Sequence, residues 1–190
     1  LITISPGFIR GGSGRVSQDI ADVFTLEMAD AIKSASRDIR HVAPTSETTG
    51  LAVYRGCNIR TRIVGVTPDY QEVINHHPLV GRYIREQDII DSAKIAVLGV
   101  MESKGQVIMS NYDSRIYVPI TMLINRGLKS KFVDGYSIEA DSKDVAKSVV
   151  EDVEAFMTRM LGDPDRFRVM SQDTILEPVS QATGTMTMLL

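Results

Sequence analysis

Hydrophobic positions near the start of the chain follow a strand, helix, strand order. Residues 1–5 alternate apolar and polar side chains, and Pro6-Gly7 ends that strand. Thr25 is suited to cap a helix that runs to about residue 36, with Leu26, Ala29 and Ile32 on one face. Residues 39–43 then predict a short strand that ends before Pro44. The first part of the chain therefore forms one β-α-β unit.

The last third of the chain repeats this order around a longer helix. Residues 141–161 predict a helix that Asp141 caps and that Gly162 and Pro164 end, between strands at 135–140 and 167–170. Its apolar stripe is formed by Val145, Val149, Val153, Phe156 and Met160. Because two such units pack side by side, we expect an α+β sandwich with two helices on one sheet.

The middle of the chain interrupts this rhythm. Residues 75–125 predict a small mixed α/β subdomain, inserted into a subdomain formed by residues 1–74 and 126–190. Before it, strands at 48–55 and 58–66 flank Gly56-Cys57 and predict a hairpin with a two-residue turn. Arg60 and Arg62 on the second strand indicate a solvated sheet face, and contact with an anionic ligand or partner is the alternative.

Composition indicates a globular protein and argues against nucleic acid as a partner. The 190 residues are 43% hydrophobic and 24% charged, which suffices for a buried core. The net charge is −3, whereas phosphate binding requires concentrated Lys and Arg. Cys57 is the single cysteine, so no internal disulfide forms, and no apolar run reaches the roughly 18–20 residues of a membrane span.

Residues that could carry chemistry do not form a recognisable site. His76 and His77 are adjacent and so point opposite ways on an extended chain, which favours exposed loop imidazoles over metal ligands. Glu151, Asp152 and Glu154 lie on the polar helix face, while Asp163, Asp165 and Asp173 lie on turns. The glycines at 11–14 lack the Lys-Ser/Thr of a phosphate loop. We therefore expect no catalytic, cofactor-binding or metal-binding residue, and partner-binding residues stay unassigned.

Three sequence motifs carry a family resemblance. RTRIVGVTPDYQEV at 60–73 is followed by GRYIREQD at 81–88 and AVLG at 96–99. In this order and spacing they resemble the extracytoplasmic core domain of MacB-type ABC transporter permeases. LITISPG at the start and QATG at 181–184 resemble the junctions to the first and second transmembrane helices of that family. The resemblance thus covers nearly the whole chain.

The resemblance implies a non-catalytic module of a membrane transporter. It implies an extracytoplasmic domain of the inner membrane that transmits ATP-driven movement to the export of a substrate. The implied partners are an ABC ATPase domain or subunit, a second copy of the permease, a membrane-fusion adaptor protein, and the membrane through flanking helices. It implies no cofactor. The alternatives are a free-standing binding module for a small ligand or peptide and, third, a hydrolase with an unrecognised site.

The sequence departs from the family pattern at Gly99-Val100. Relatives have a helix and a hairpin after AVLG, whereas here Gly99 leads directly into Val100. We expect that residues are missing at this point, which would place the two Cα atoms much farther apart than the ~3.8 Å of a trans peptide. The alternative is a shortened subdomain with a continuous strand.

Overall fold

A six-stranded mixed sheet forms the centre of the molecule. The computed structural model describes residues 1–7, 23–90, 97–107, 110–128 and 130–171. The strand order is β10-β1-β9-β2-β3-β8, and all neighbours are antiparallel except β3 and β8. The strands are β1 (Ile2–Pro6), β2 (Ile39–Tyr54), β3 (Cys57–Val66), β8 (Arg115–Pro119), β9 (Gly135–Ala140) and β10 (Phe167–Ser171).

Smaller elements surround this sheet. Two separate two-stranded antiparallel sheets pair β4 (Pro78–Gly81) with β5 (Gly99–Met101), and β6 (Gln106–Val107) with β7 (Ser110–Asn111). The helices are α1 (Met28–Lys33), α2 (Tyr70–Val73), α3 (Glu86–Ile90), α4 (Ile120–Met122) and α5 (Ala146–Leu161). A π-helical turn, Leu123–Leu128, continues α4. Strands and helices thus combine in the α+β class that the sequence predicts.

One face of the sheet packs against α5 and the N-terminal helix. Ile2 and Ile4 of β1 and Ile138 of β9 are buried together with Val149 and Val153 of α5. This confirms that the long helix packs on the sheet through its apolar stripe, as predicted, and shows that the strands it covers are β1 and β9. The last residues of the predicted apolar stripe, however, are wrong.

Met157, rather than Met160, is the third fully buried residue of α5. Met157 is 0% exposed and Met160 is 44% exposed, while Phe156 is half-buried at the edge of the core. The buried residues Val149, Val153 and Met157 follow one another at intervals of four along α5. The prediction instead took an interval of three after Val153, which selected Phe156 and then Met160, and these two residues lie farther from the sheet.

The other face of the sheet carries α2 and a second cluster. Ala43 of β2 lies in this cluster with Val64 and Val66 of β3 and with Tyr70 and Val73 of α2. Its neighbour in β2, Val42, lies in the first cluster. Successive strand residues point to opposite faces, so β2 separates two hydrophobic layers.

Two local predictions in the first β-α-β unit are wrong. Thr25 does not cap α1, because it forms a β-bridge with Phe132 and the helix begins three residues later. The strand at Ile39 does not end before Pro44 but continues to Tyr54. Pairing with β3 begins only at Ser46, so Pro44 is paired on one side, where a missing N–H is tolerated.

The predicted hairpin is confirmed, with its turn one residue earlier. Arg55 and Gly56 form the two-residue turn at φ of 47° and 82°, and Cys57 already pairs with Tyr54. Two positive φ values in succession define the type I′ turn that matches strand twist. Arg60 and Arg62 are exposed as predicted, and Arg62 pairs with Glu47 at 3.2 Å.

The expected break between Gly99 and Val100 is not found. Both residues belong to β5, where Gly99 lies opposite Gly81 and Val100 opposite Val80. The prediction of a widened Cα separation is therefore wrong. The inserted region is built around a continuous strand instead.

The two ends of the described chain lie side by side. Ile2 is the partner of Ser171 across β1 and β10. The glycines at 11–14, Asp173 and the QATG junction lie outside the described residues. In the described part of the chain, no helix combines the length and apolar character needed to cross a membrane.

Candidate binding cavity

A cavity of about 710 Å³ lies between β8 and the loops of the inserted region. Its apolar wall includes Leu98, Val100, Ile116 and Val118. Its aromatic wall is formed by Tyr83, Tyr112 and Tyr117 together with His76. The inserted region and the edge of the main sheet therefore build this cavity jointly.

The aromatic side chains contact one another in a connected cluster. The His76 ring meets the rings of Tyr112 and Tyr117 edge-on, at centroid distances of 6.1 and 6.0 Å. Tyr117 also contacts Tyr70 at 5.9 Å and Tyr83 at 6.5 Å. Such tilted and edge-on arrangements suit the ring quadrupoles. Tyr117 is thus the centre of the cluster.

An ion pair at the cavity wall explains the GRYIREQD motif. Arg82 donates through Nη1 and Nη2 to both carboxylate oxygens of Asp88, at 2.6 and 2.9 Å. The backbone N–H of Arg85 also donates to Asp88, at 2.8 Å. These donors, led by the Arg82 guanidinium, lower the pKa of Asp88 to about 2. The pair therefore holds the turn between β4 and α3 in shape.

The glycine of the same motif has its own physical reason. Gly81 has a φ of 83°, and a Cβ built there would lie 2.3 Å from the carbonyl oxygen of Leu98. A side chain would force β4 and β5 apart. The motif thus joins a glycine that permits close strand approach to an Arg-Asp pair that fixes the following turn.

Asp113 organises the opposite rim of the cavity. Its carboxylate accepts from Ser103 Oγ at 2.7 Å and from the backbone N–H of Lys104 and Gly105 at 2.8 and 3.0 Å. These hydrogen bonds, Ser103 first, lower the pKa of Asp113. Lys104 Nζ donates to the carbonyl oxygens of Ile74 and Asn75. The loop from 103 to 105 is therefore tied to both Asp113 and the end of α2.

Charged groups of the cavity wall are largely engaged with the protein itself. The Arg115 guanidinium stacks over Tyr112 at 4.6 Å from the ring centroid, and its Nε donates to Asn111 O at 3.2 Å. Glu102 accepts from the backbone N–H of His77 at 3.4 Å. An incoming ligand would therefore meet mainly apolar and aromatic surface.

The histidines predicted as exposed loop residues behave differently from each other. His76 is 1% exposed, and its Nε2 donates to the carbonyl oxygen of Glu102 at 2.7 Å, so the prediction is wrong for this residue. His77 is half-buried and contacts Asn75 Oδ1 at 3.1 Å. His41 pairs with Asp69 at 2.9 Å. In the described ranges, no three His, Cys, Asp or Glu residues converge as metal ligands.

Other candidates take ordinary structural places. Asp163 accepts from the backbone N–H of Asp165 and caps the short helix that precedes β10. Glu151, Asp152 and Glu154 are exposed on α5. Cys57 is an exposed thiol at the hairpin.

Sequence reasoning missed the cavity because its residues are scattered. His76, Tyr83, Tyr112 and Tyr117 come from different parts of the chain and show no common spacing. The signal that was present is the number of tyrosines, 6 among 190 residues with no tryptophan. Four of them gather on one side of the sheet.

Curated relatives match almost the whole chain. A macrolide export ATP-binding/permease protein MacB from Chlorobaculum tepidum is 26% identical over 218 aligned positions, which cover 95% of this chain and 34% of that protein. A protein of the same name from Bdellovibrio bacteriovorus is 23% identical and covers 100% of this chain and 34% of its own length. The chain thus spans about a third of the length of these relatives.

Solved structures share the fold. The periplasmic region of MacB from Actinobacillus actinomycetemcomitans superposes with a TM-score of 0.74 at 16% identity, covering 94% of this chain and 92% of that one. The extracellular domain of the ABC-type transporter YknZ from Gram-positive bacteria gives a TM-score of 0.61 at 16% identity, covering 89% and 100%.

A family model agrees with these relatives over half of the chain. The model of the MacB-like periplasmic core domain matches residues 1–100, which include β1 to β4 and the start of β5. The matched range contains all three motifs noted in the sequence. This chain therefore belongs to the family of MacB-like periplasmic core domains.

Proposed function

We propose that this domain transmits movement between membrane-embedded helices and an extracytoplasmic partner of an ABC transporter permease. The observation that carries the proposal is the adjacency of β1 and β10, where Ile2 lies opposite Ser171. The start of β1 and the end of β10 lie side by side, so segments attached to them enter the sheet at the same edge-to-edge position. A displacement of those segments acts directly on the strands against which α5 packs.

The partners follow from the family. The ATPase lies in another domain or subunit, in keeping with relatives named ATP-binding/permease proteins of which this chain spans a third. A second copy of the permease and an adaptor protein complete the proposed assembly. The domain lies on the extracytoplasmic side of the cell's inner membrane, and it has no catalytic role of its own.

We also propose a division of the domain into two subdomains. Residues 1–74 and 126–190 form the larger one, and residues 75–125 form the inserted one. The separate two-stranded sheets β4-β5 and β6-β7 of the inserted range support a division, although β8 of that range pairs with β3 in the main sheet. The inserted subdomain is shorter than in relatives, in keeping with an alignment of 218 positions against a chain of 190 residues.

The single cysteine allows a direct test of location. Cys57 is exposed at the hairpin, so a membrane-impermeant maleimide applied to intact cells should label it in the full-length transporter from which other cysteines have been removed. A Cys57→Ser variant is the matched control and should stay unlabelled. Labelling that requires lysed cells would contradict an extracytoplasmic position.

The same cysteine allows a test of transmission. A spin label on Cys57 of each copy reports the distance between two hairpins in the reconstituted transporter. We expect this distance to change between the nucleotide-free and ATP-bound states. A distance that is identical in both states, measured in protein that hydrolyses ATP, would contradict the proposed movement.

A further inference from the structure

The hairpin of β2 and β3 extends beyond the strands that flank it in the main sheet. β9 pairs with β2 only as far as Thr45, and β8 pairs with β3 only from Arg62 onwards. Residues 46–61, which we call the arm, therefore form a two-stranded ribbon, and no further strand of the described residues pairs with its outer edges. Open strand edges are ready templates for pairing with another chain.

Two hydrogen bonds show which backbone groups of β2 point to its open edge. The backbone N–H of Asp134 donates to the carbonyl oxygen of Thr45 at 2.9 Å, and the Asp134 carboxylate accepts from the N–H of Glu47 at 2.6 Å. Asp134 directly precedes β9, so both bonds lie on the side of β2 away from β3. Because the direction of these groups alternates along a strand, the odd-numbered residues of β2 face the open edge. Beyond Glu47 these residues are Thr49, Leu51 and Val53.

The turn of the hairpin supports the same assignment. A two-residue turn requires that the residues on either side of it, Tyr54 and Cys57, hydrogen-bond to each other. The even-numbered residues of β2 in the arm therefore bond to β3. Among the described residues, none forms a backbone hydrogen bond with Thr49, Leu51 or Val53 at the open edge.

The open edge of β2 lacks the features that keep strand edges from pairing. Pro, Lys and Arg are absent from residues 48–54, and the pairing of β2 with β3 runs through the arm without a bulge. Leu51 and Val53 are 61% and 65% exposed although both are apolar. An added strand would shield part of these side chains and pair the backbone groups at the same time.

We propose that the arms of two copies of this domain pair antiparallel along β2, with Leu51 opposite the partner's Leu51. A two-fold axis passes through this pair, so Thr49 lies opposite the partner's Val53, and Glu47 lies next to the partner's Arg55. The pairs formed by Thr49, Leu51 and Val53 each exchange two N–H···O bonds. The contact is isologous, because the same surface serves in both copies.

Charge complementarity selects this register. A shift of one copy by two residues in one direction places Glu47 opposite the partner's Val53, and a shift in the other direction moves it past the partner's turn. A shift by one residue brings outward-facing groups against inward-facing ones and forms no ladder. Only the register centred on Leu51 sets Glu47, the one acidic residue of the arm, against a basic residue.

The arm thereby supplies a contact surface for the second copy, and to that extent the assignment rests on the proposed function. In a permease dimer the paired arms lie across the two-fold axis. Only three residue pairs close the ladder. The contact can therefore form in one nucleotide state and part in the other, as the expected change in the distance between the two Cys57 residues requires.

Disulfide cross-linking of the 190-residue chain tests the register directly. In a Cys57→Ser background, Leu51→Cys should give a disulfide-linked dimer on oxidation with copper phenanthroline. The Cα atoms of a hydrogen-bonded antiparallel pair lie about 5.5 Å apart, which is within reach of a disulfide. Ile59→Cys is the matched control, since Ile59 is 64% exposed on the arm but lies on β3. The two β3 strands are about 14 Å apart in the paired arms, so we expect at least about 10-fold less dimer from this variant.

Sedimentation equilibrium of proline variants tests the backbone pairing. Leu51→Pro removes an N–H from the open edge of β2 and leaves the ladder to β3 intact, so it should weaken dimerisation about 10-fold or more. Asn58→Pro is the matched control, because it removes an N–H from the other open edge, that of β3, and should change the affinity of the dimer less than about twofold. Thermal melting verifies that both variants fold.

Three results would overturn the pairing of the arms. They are a wild-type chain that stays monomeric up to about 1 mM, equal cross-linking of Leu51→Cys and Ile59→Cys, and equal dimer affinity in Leu51→Pro and the wild type. None of these measurements uses nucleotide or membrane. Failure of the pairing is therefore distinct from failure of the proposed transmission.

Discussion

Asp88 connects a family motif to a measurable pH dependence. Its pKa falls from the ordinary value of 3.8 to about 2 in the folded protein, chiefly through Arg82. A group with a lowered folded pKa stabilises the native state above its unfolded pKa, and this contribution is lost as the pH falls through the folded pKa. The stabilisation by Asp88 is therefore complete above about pH 4 and disappears between about pH 4 and pH 2.

Asp88→Asn should accordingly destabilise the protein at neutral pH. Loss of a charged acceptor with three donors should lower the free energy of unfolding by about 1–2 kcal/mol at pH 7. The difference from the wild type should shrink towards zero as the pH is lowered to about 2. Urea unfolding over this range measures it, with the exposed Asp152→Asn as control. A difference independent of pH would contradict the assigned role.

His76 and His77 form a natural pair of test and control. His76→Ala removes the hydrogen bond to Glu102 and the ring contacts with Tyr112 and Tyr117, so we expect a loss of about 3 kcal/mol. His77→Ala should lose less than about 1 kcal/mol, because its ring is only half-buried. Denaturant unfolding measures both. Equal losses would contradict the burial of His76.

The histidine pair also shows how far residue-level prediction extends. The sequence supports the conclusion that adjacent histidines point apart, and the structure agrees, since one ring contacts Glu102 and the other Asn75. Which of the two is buried depends on tyrosines 36 and 41 positions later in the chain. No local pattern carries that information.

At the scale of elements, α5 offers the sharpest stability prediction. Met157 is fully buried against the sheet, whereas Met160 is 44% exposed on the same helix. Met157→Ala should lower the free energy of unfolding by about 2–5 kcal/mol, as expected for a large-to-small change in a core. Met160→Ala, the matched control, should lose less than about 1 kcal/mol. Thermal or denaturant unfolding that ranks the two in reverse would contradict the observed helix face.

Element types were predictable where the hydrophobic pattern agrees with the residues that end an element, such as glycine. β9 matches its predicted range, and Gly162 at a φ of 74° ends α5 as expected for a left-handed C-cap. The errors arise where tertiary pairing overrides a local signal. Thr25 has a capping side chain but pairs with Phe132, and Pro44 lies inside a strand because β9 pairs with it from one side.

At the scale of the whole molecule, only one of the two hydrophobic layers that cover the faces of the sheet was predictable from the sequence. Packing of α5 over β1 and β9 follows from its apolar stripe. The second layer depends on residues such as Ala43 and Tyr70, whose contacts join distant parts of the chain. The cavity next to this layer has the same origin. Its walls come from β8 and from loops that meet only in the folded state.

The continuous sheet predicts that both layers unfold together. Tyr70, Tyr83, Tyr112 and Tyr117 lie in the second cluster, and the protein contains no tryptophan, so tyrosine fluorescence reports chiefly on that layer. Far-UV circular dichroism near 222 nm reports chiefly on the helices, of which α5 in the first layer is the longest among the described residues.

Because β2 contributes to both layers, we expect coincident transitions from the two probes, as for a single cooperative domain. Met157→Ala, in the first layer, should shift the tyrosine transition by the same amount as the helical one. Tyr70→Phe, in the second layer, is the reciprocal variant, and any shift that it causes should likewise be equal in both signals. Separate midpoints, or a Met157→Ala shift confined to the helical signal, would show that the inserted region folds as an independent unit.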